Sequence, residues 1–378
     1  MKQTFNKYFS KIKQPISARE IEKNYLDEKA QITRIKKHIC DREANYELTP
    51  WNSRPRIFIA VRTVNWEKSG LVDSWRDVAD VVHYDWENAY DQNSKDWFER
   101  GRVEFGNRLY QSVALENEKK PIHVFFSYLS GRWVDRWVIE RIRSLGIITI
   151  NYDFDDSKKF WNSKIRGVYT GSAEIASAYD VCVSAQSSKN IGKYIAIGAN
   201  PIFLPSGVNE SKFGVERKPV IRDLFVSFVG QNYGRRSKMI SYIKKNGIDV
   251  YTRGINWPHG SVGEDEMVAI YHRSVISLGF GYIGKSRMVG LKGRDFEVPA
   301  CGCAYMTTYN SELEKYFVPE KEIVFYSGEK ELMEKLRYYS ANQKEAKEIG
   351  DRGRERVLRE HTWSARWRYL LSVIKSSA

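Results

Sequence analysis

Strand-length apolar runs alternate with helical stretches along this chain, and they do so in two successive sets. The first set covers residues 57–61, 80–84, 123–128, 147–152, 181–184 and 202–204, with helical stretches at 94–116 and 134–145 between the second, third and fourth runs. A turn cluster, Pro205-Ser206-Gly207-Val208-Asn209, interrupts the pattern, and a second set follows at 224–229, 248–251, 275–280, 303–307 and 323–326. Parallel neighbours cannot be joined by a tight turn, so this alternation means parallel strands with crossover helices. The expected class is α/β: two Rossmann-like doubly wound parallel-sheet domains facing each other across a cleft, with ligand crevices at the carboxyl ends of their strands.

The flanks read differently. Residues 1–50 form a helical extension, with Ile21, Tyr25, Ile32, Ile35 and Ile39 near helical spacing among many charges. The expected domains are then 51–207 and 208–360, and 378 residues suffice for two cores of ordinary size. No apolar run approaches the roughly 20 residues of a membrane span, and the basic N-terminus lacks the apolar core of a secretory signal. The expected location is the cytoplasm, and the four cysteines, without disulfide or zinc spacing, fit a reducing compartment.

A formal charge of +14 implies attraction to anions, but Lys and Arg are spread along the chain and no nucleic-acid motif accompanies them, so no nucleic-acid partner is expected. Near the N-terminus Lys2, Lys7, Lys11 and Lys13 cluster with Phe5, Tyr8 and Phe9. This stretch reads either as a peripheral membrane contact or as a helix packed on the first domain, and the second reading is preferred.

Two segments carry the chemistry. In FVSFVGQNYGRR, residues 225–236, an apolar strand runs into Gly230, Gly234, Arg235 and Arg236, and then into a helix starting near Ser237. Glycines admit a close ligand and a helix N-terminus with adjacent cations suits a phosphate, although an ordinary strand-to-helix turn has the same look. In KGRDFEVPACG, residues 292–302, Lys292 and Arg294 precede a short helix containing Glu297. A diphosphate on that helix N-terminus would be neutralised by Lys292 and Arg294, with Glu297 accepting from a ribose diol. The competing reading pairs Glu297 with Arg294 at i, i+3 on a solvated helix.

The segment KGRDFEVPACGCAYMT, followed by SELEKYF, EIVFYS and REHTWSARWRYLL, resembles the CgeB-like (spore maturation protein) glycosyltransferases, relatives of the group-1 glycosyltransferase family. VSFVGQNYGRR, VYTRGINWPHG and LPSGVNESKF are similar to the same family in the same order, so the resemblance spans about residues 120–371, most specifically in the C-terminal half. It implies a GT-B fold, a nucleoside-diphosphate-sugar donor in the second domain, and a glycan, lipid-linked glycan or protein acceptor in the first. It implies no cofactor and no metal. By the same resemblance, Glu297 would bind the donor ribose and Lys292 and Arg294 the diphosphate. Gly230 and Arg235 would line the cleft, Arg253 to Trp257 would lie near the nucleobase or the inter-strand loop, and a helix within 361–378 would cross back to the first domain. Many retaining members of the wider family have a second glutamate eight positions before the ribose-binding one, where this chain has Val289. That difference leaves the sugar contacts and the stereochemical outcome open.

An inverting reaction would need a base from the first domain. Asp153 and Asp155, beside Asp156 at the end of a strand, are the candidates, with an acidic helix-capping turn as the alternative. His83 and Asp85 are weaker candidates, and His272 and His361 read as structural. Most of the 11 tryptophans and 23 tyrosines read as core and interface, including Trp363 and Trp367 on one helical face. Two other readings stay open: a nucleotide-sugar epimerase on the same fold, and a non-catalytic glycan- or nucleotide-binding relative.

Overall fold

The computed structural model describes residues 16–45, 47–64, 66–215, 221–284, 286 and 288–375; the basic cluster Lys2 to Lys13 lies outside them. The chain forms two compact units, Met1–Pro205 with Trp367–Ala378, and Ser206–Arg366.

The first unit opens with α1 (Ala18–Lys23) and α2 (Glu28–Ala44) and continues β1 (Arg56–Ala60), β2 (Asp80–Tyr84), α3 (Arg102–Lys119), β3 (Val124–Ser127), α4 (Arg136–Arg143) and β4 (Ile148–Asp153). There follow α5 (Asp156–Lys159), β5 (Lys164–Ile165), β6 (Val168–Tyr169), β7 (Val181–Ser184), α6 (Ile191–Ala196) and β8 (Pro201–Phe203). Its six-stranded sheet has the order β2-β1-β3-β4-β7-β8 with every neighbouring pair parallel. The second unit comprises α7 (Glu210–Phe213), β9 (Leu224–Val229), α8 (Arg236–Lys245), β10 (Tyr251–Arg253), α9 (Glu264–Arg273), β11 (Ser274–Gly279) and α10 (Arg294–Ala300). β12 (Ala304–Thr308), β13 (Val324–Tyr326), α11 (Glu329–Ala341) and α12 (Gln343–Glu360) complete it, and α13 (Trp363–Ile374) carries the chain back into the first unit from Trp367 on. Its five strands, all parallel, run β10-β9-β11-β12-β13.

Most strands form where the apolar runs lie because both faces are covered; in place of the expected 248–251, β10 runs Tyr251–Arg253. β3 and β4 are buried at every residue, which parallel sheets require of their central strands. The helix expected at 94–116 instead opens with a wider turn at Trp97–Gly101, and α3 begins at Arg102. Trp97 is buried there, and its indole N–H donates to the Arg132 carbonyl at 2.7 Å. The small antiparallel hairpin β5-β6 has no counterpart among the expected runs.

A buried ionic network fixes α2 to the first sheet. Asp180, fully buried just before β7, meets Arg42 at 2.6 Å and His38 at 2.8 Å from α2, and Arg143 at the end of α4 at 2.7 Å. The Thr149 amide donates to the same carboxylate at 2.9 Å. Burial by itself would raise the Asp180 pKa, but the His38 hydrogen bond and the charges of Arg42 and Arg143 outweigh it and hold the group below the usual carboxylate range. On α13, Thr362 caps the first turn by accepting from the Ala365 amide at 3.1 Å. One turn on, Trp367 stacks on Trp75 with centroids 4.4 Å apart and donates its indole N–H to Ser74 at 2.6 Å.

Candidate functional site

In the second unit the strand order reverses between β9 and β11, since β10 lies on one side of β9 and β11 on the other. Crossovers leave such a point in opposite directions and open a crevice at the carboxyl ends of the two strands. Gly230 follows β9 directly. Its N–H donates to the Arg253 carbonyl at 2.8 Å, and its own carbonyl accepts the Trp257 indole N–H at 2.8 Å. Its backbone is therefore committed to the loop after β10, not offered to a phosphate. The glycine is needed for space: with φ at 150°, an added Cβ would lie 2.5 Å from a guanidinium nitrogen of Arg294.

Two arginines meet at this point. Arg236, only 5% exposed, donates to the Gln231 carbonyl at 2.7 Å and to the Tyr233 hydroxyl at 3.3 Å, with its guanidinium 4.1 Å over the Tyr233 ring. The guanidiniums of Arg236 and Arg294 lie over the ring of Phe228, at 5.4 and 5.2 Å. Nη1 of Arg294 is buried with no hydrogen-bond partner, and neither arginine forms an ion pair, among the described residues. Burial, with the Arg294 charge added to it, lowers the Arg236 pKa to about 10. Two buried guanidiniums therefore sit close together outside any ion pair among the described residues, although the charges of Asp295 and Glu297 act on Arg294.

α10 supplies the rest. Asp295 accepts from the Lys292 amide at 2.8 Å and from the buried Tyr305 hydroxyl at 2.6 Å, closing the first turn so that Arg294 projects from it. Burial raises Asp295 to about 6. Lys292 stands half-buried just before the helix. The Glu297 carboxylate folds back over Gly293, where an added Cβ would lie 2.8 Å from its oxygen. No ion pair joins Glu297 to Arg294, so the i, i+3 pairing is not formed. Burial raises Glu297 to about 7, against the opposing pull of Arg294.

The remaining expected donor residues are dispersed around this point. Arg235 is exposed, with its guanidinium 5.4 Å over the Tyr282 ring, and lines a cavity of about 250 Å³ with Gly234, Lys238, Met239 and Glu329. Arg253 is ion-paired with Glu266 at 2.8 Å, tying β10 to α9. Val289 forms an antiparallel bridge with Tyr282 in the loop after β11.

In the first unit, Asp153 is buried at the end of β4 and accepts the Asp155 amide at 2.8 Å; burial raises its pKa. Asp155 is partly exposed and pairs with Lys159 at 2.6 Å across one turn of α5, as a helix-opening acidic turn does. Asp156 is the buried member. It accepts from Ser184, from Asn190 at 2.6 Å and from Tyr194 at 3.1 Å, and burial together with the Asp153 charge raises it to about 8. The order reversal in this sheet falls between β1 and β3, one strand away from these aspartates. Past β1, Arg62 stands over the Trp133 ring at 5.4 Å. His83 bonds the Val61 carbonyl and Asp85 accepts from Thr63 and the Glu87 amide, so both are used within the fold. His361, ringed by Phe296, Tyr316 and Phe317, is lowered to about 4 by burial and by Arg366.

Arg236 carried a signal that separates it from Arg235. On α8 the buried residues are Arg236, Met239, Ile240 and Ile243, so the arginine occupies the inward stripe at i, i+3, i+4 and i+7. Phe228 and Asp295 had no such mark. Among the described residues no group of three or more His, Cys, Asp or Glu side chains converges as a metal site would.

Two parallel doubly wound units of this order match solved structures across most of the chain. Sucrose-phosphate synthase from Thermosynechococcus elongatus is similar at a TM-score of 0.55 and 11% identity, over 84% of this chain and all (100%) of that one. Anabaena HepE in complex with UDP-glucose aligns at 0.58 and 8% identity, over 84% and 99% of the two chains. The fold is GT-B. A putative UDP-N-acetylglucosamine 2-epimerase from Listeria monocytogenes is also similar, at 0.51 and 9% identity over 85% and 96% of the two chains. By sequence, residues 235–372 match the family described as glycosyl transferase-like, a span that begins at Arg235 and includes all of α10. No curated protein matches the chain by sequence.

Proposed function

We propose that this GT-B chain transfers a sugar from a nucleoside-diphosphate donor to a glycan, lipid-linked glycan or protein acceptor, as a CgeB-like glycosyltransferase acting without a metal. The observation that carries the reading is the pair of unpaired guanidiniums, Arg236 and Arg294, at the order reversal of the second sheet. Departure of a nucleoside diphosphate develops negative charge on its oxygens. Cations already desolvated and already placed stabilise that charge without reorganising. Lys292 adds a third positive group, and Glu297, protonated or accepting, faces a ribose diol. Of the two candidate bases, Asp153 is the buried, pKa-raised one; Asp155 is held by Lys159. The match of residues 235–372 to a glycosyl transferase-like family and the UDP-glucose complex of a fold neighbour support the same reading.

The test is turnover. Nucleoside diphosphate release from a panel of nucleotide sugars, with pooled oligosaccharide acceptors and with chelator present, is expected for one donor. Arg294→Ala should lower that rate about a hundredfold or more. Release that requires added divalent metal would overturn the metal-independent part of the proposal. A product in which only the sugar of the donor has changed configuration would point to epimerase chemistry instead.

A further inference from the structure

The arrangement around Phe228 is unusual in what it lacks. Two guanidiniums share one ring, at 5.4 and 5.2 Å, and each is half-buried or more. Two other buried arginines are met by carboxylates: Arg42 by Asp180, Arg102 by Asp135. Arg236 is met instead by the Gln231 carbonyl, the Tyr233 hydroxyl and the Tyr233 ring at 4.1 Å, and Arg294 by the face of Phe228, with its Nη1 unbonded among the described residues. A carboxylate between them would stabilise both cations but would also have to be displaced by any anionic ligand. An aromatic face attracts a cation through its quadrupole and carries no net charge to displace.

We propose that Phe228 is a positioning residue that holds Arg236 and Arg294 together, desolvated and outside any ion pair, and so preorganises them for the diphosphate of the donor. The inference rests on the donor-site reading above and adds to it the group that keeps like charges in register. Phe228 is itself fixed: it is fully buried, its ring lies 4.9 Å from Phe280, and the Trp257 ring meets it edge-on at 6.0 Å while bonding the Gly230 carbonyl. The ring therefore cannot swing away when the cations approach. Without its attraction the two guanidiniums would repel and separate in the free protein, and the ligand would bind only after bringing them back.

The test replaces Phe228 in the full chain by mono-, di- and trifluorinated phenylalanines, which nearly keep its shape while draining the negative face of the ring. Binding of inorganic pyrophosphate, of the preferred nucleoside diphosphate and of the matching nucleoside is measured by calorimetry. Stepwise weakening towards about tenfold is expected for the two anions, with the nucleoside unchanged. Phe228→Tyr, which keeps the ring, should stay within about threefold of the wild type, and Phe228→Leu should lose as much as the trifluorinated protein. A ring with a purely packing role would lower melting temperature in Phe228→Leu and leave anion affinity level across the fluorinated series. That level series would overturn the proposal while leaving the donor site standing. Unmodified protein that binds neither pyrophosphate nor any nucleoside diphosphate would overturn both.

Discussion

Glu297, the ribose-binding residue of the proposed donor site, works against the free protein. Its carboxyl sits over Gly293 without an ion pair among the described residues, and burial raises it to about 7. A carboxyl raised in the folded state contributes stability that is fully present below its unfolded pKa and is lost as pH rises through the folded one. Between about pH 4.5 and 7 the ligand-free protein should therefore lose stability on this account, by about 1–3 kcal/mol. Glu297→Gln removes the penalty. The variant should melt above the wild type at pH 8 and not at pH 4.5, while binding nucleoside diphosphate at least about tenfold more weakly, since a carboxylate that accepts from a ribose diol is lost. Melting curves at the two pH values, with a binding isotherm, check both halves. Equal melting of the two proteins at pH 8 would mean that the carboxyl is solvated and carries no such strain. Glu297 and Arg294 were legible in the sequence as a pair of charged residues on a short helix. What separates pairing on the surface from inward display is the packing of Asp295 against Tyr305, and no local pattern announces that contact.

At the scale of the element, the extension α1–α2 is tied down by charge as much as by packing. Asp180 joins α2, α4 and the start of β7 through three basic side chains. Removing one partner of a buried network leaves the others desolvated and unpaired. Asp180→Asn should destabilise the first unit by about 3–5 kcal/mol, read as a lower denaturation midpoint, with early loss of protection in α2 by hydrogen exchange. Because the Asp180 pKa is held low, its contribution is present above the unfolded carboxylate pKa and is lost as pH falls through the folded one, so the wild type should approach the variant in acid. A variant as stable as the wild type at pH 7 would show the network to be dispensable. The periodicity of Ile35 and Ile39 marked α2 in advance, and both are buried. The hairpin β5-β6 left no such trace. Its turn places Arg166 and Gly167 at φ of 50° and 86°, and an Arg-Gly pair is not the Asn-Gly or Asp-Gly that signals this turn from sequence.

Across the whole molecule, the alternation of runs and helices foretold both parallel sheets because each crossover leaves a one-dimensional imprint. Strand order leaves none. Asp153 and Asp155 were read as candidate bases because they end a strand, and β4 lies one position from the reversal between β1 and β3. Which strand lies beside which is decided by pairing across the sheet, so Arg62, past β1, drew no notice. In the second unit Gly230 directly follows β9, at the reversal itself. No described helix is long and apolar enough to cross a membrane.

The central claim is that the crevice around Gly230, Arg236, Arg294 and Glu297 holds the diphosphate end of a nucleotide. It is tested most directly by melting the protein against a panel of nucleoside mono- and diphosphates and nucleotide sugars, in chelator, beside Arg294→Ala. The account predicts a rise for one base in its diphosphate and sugar forms, about 2.7 kcal/mol of stabilisation at a hundred times Kd, with little for the monophosphate and none in the variant. Equal shifts in wild type and Arg294→Ala, or no shift with any member at millimolar concentration, would contradict it.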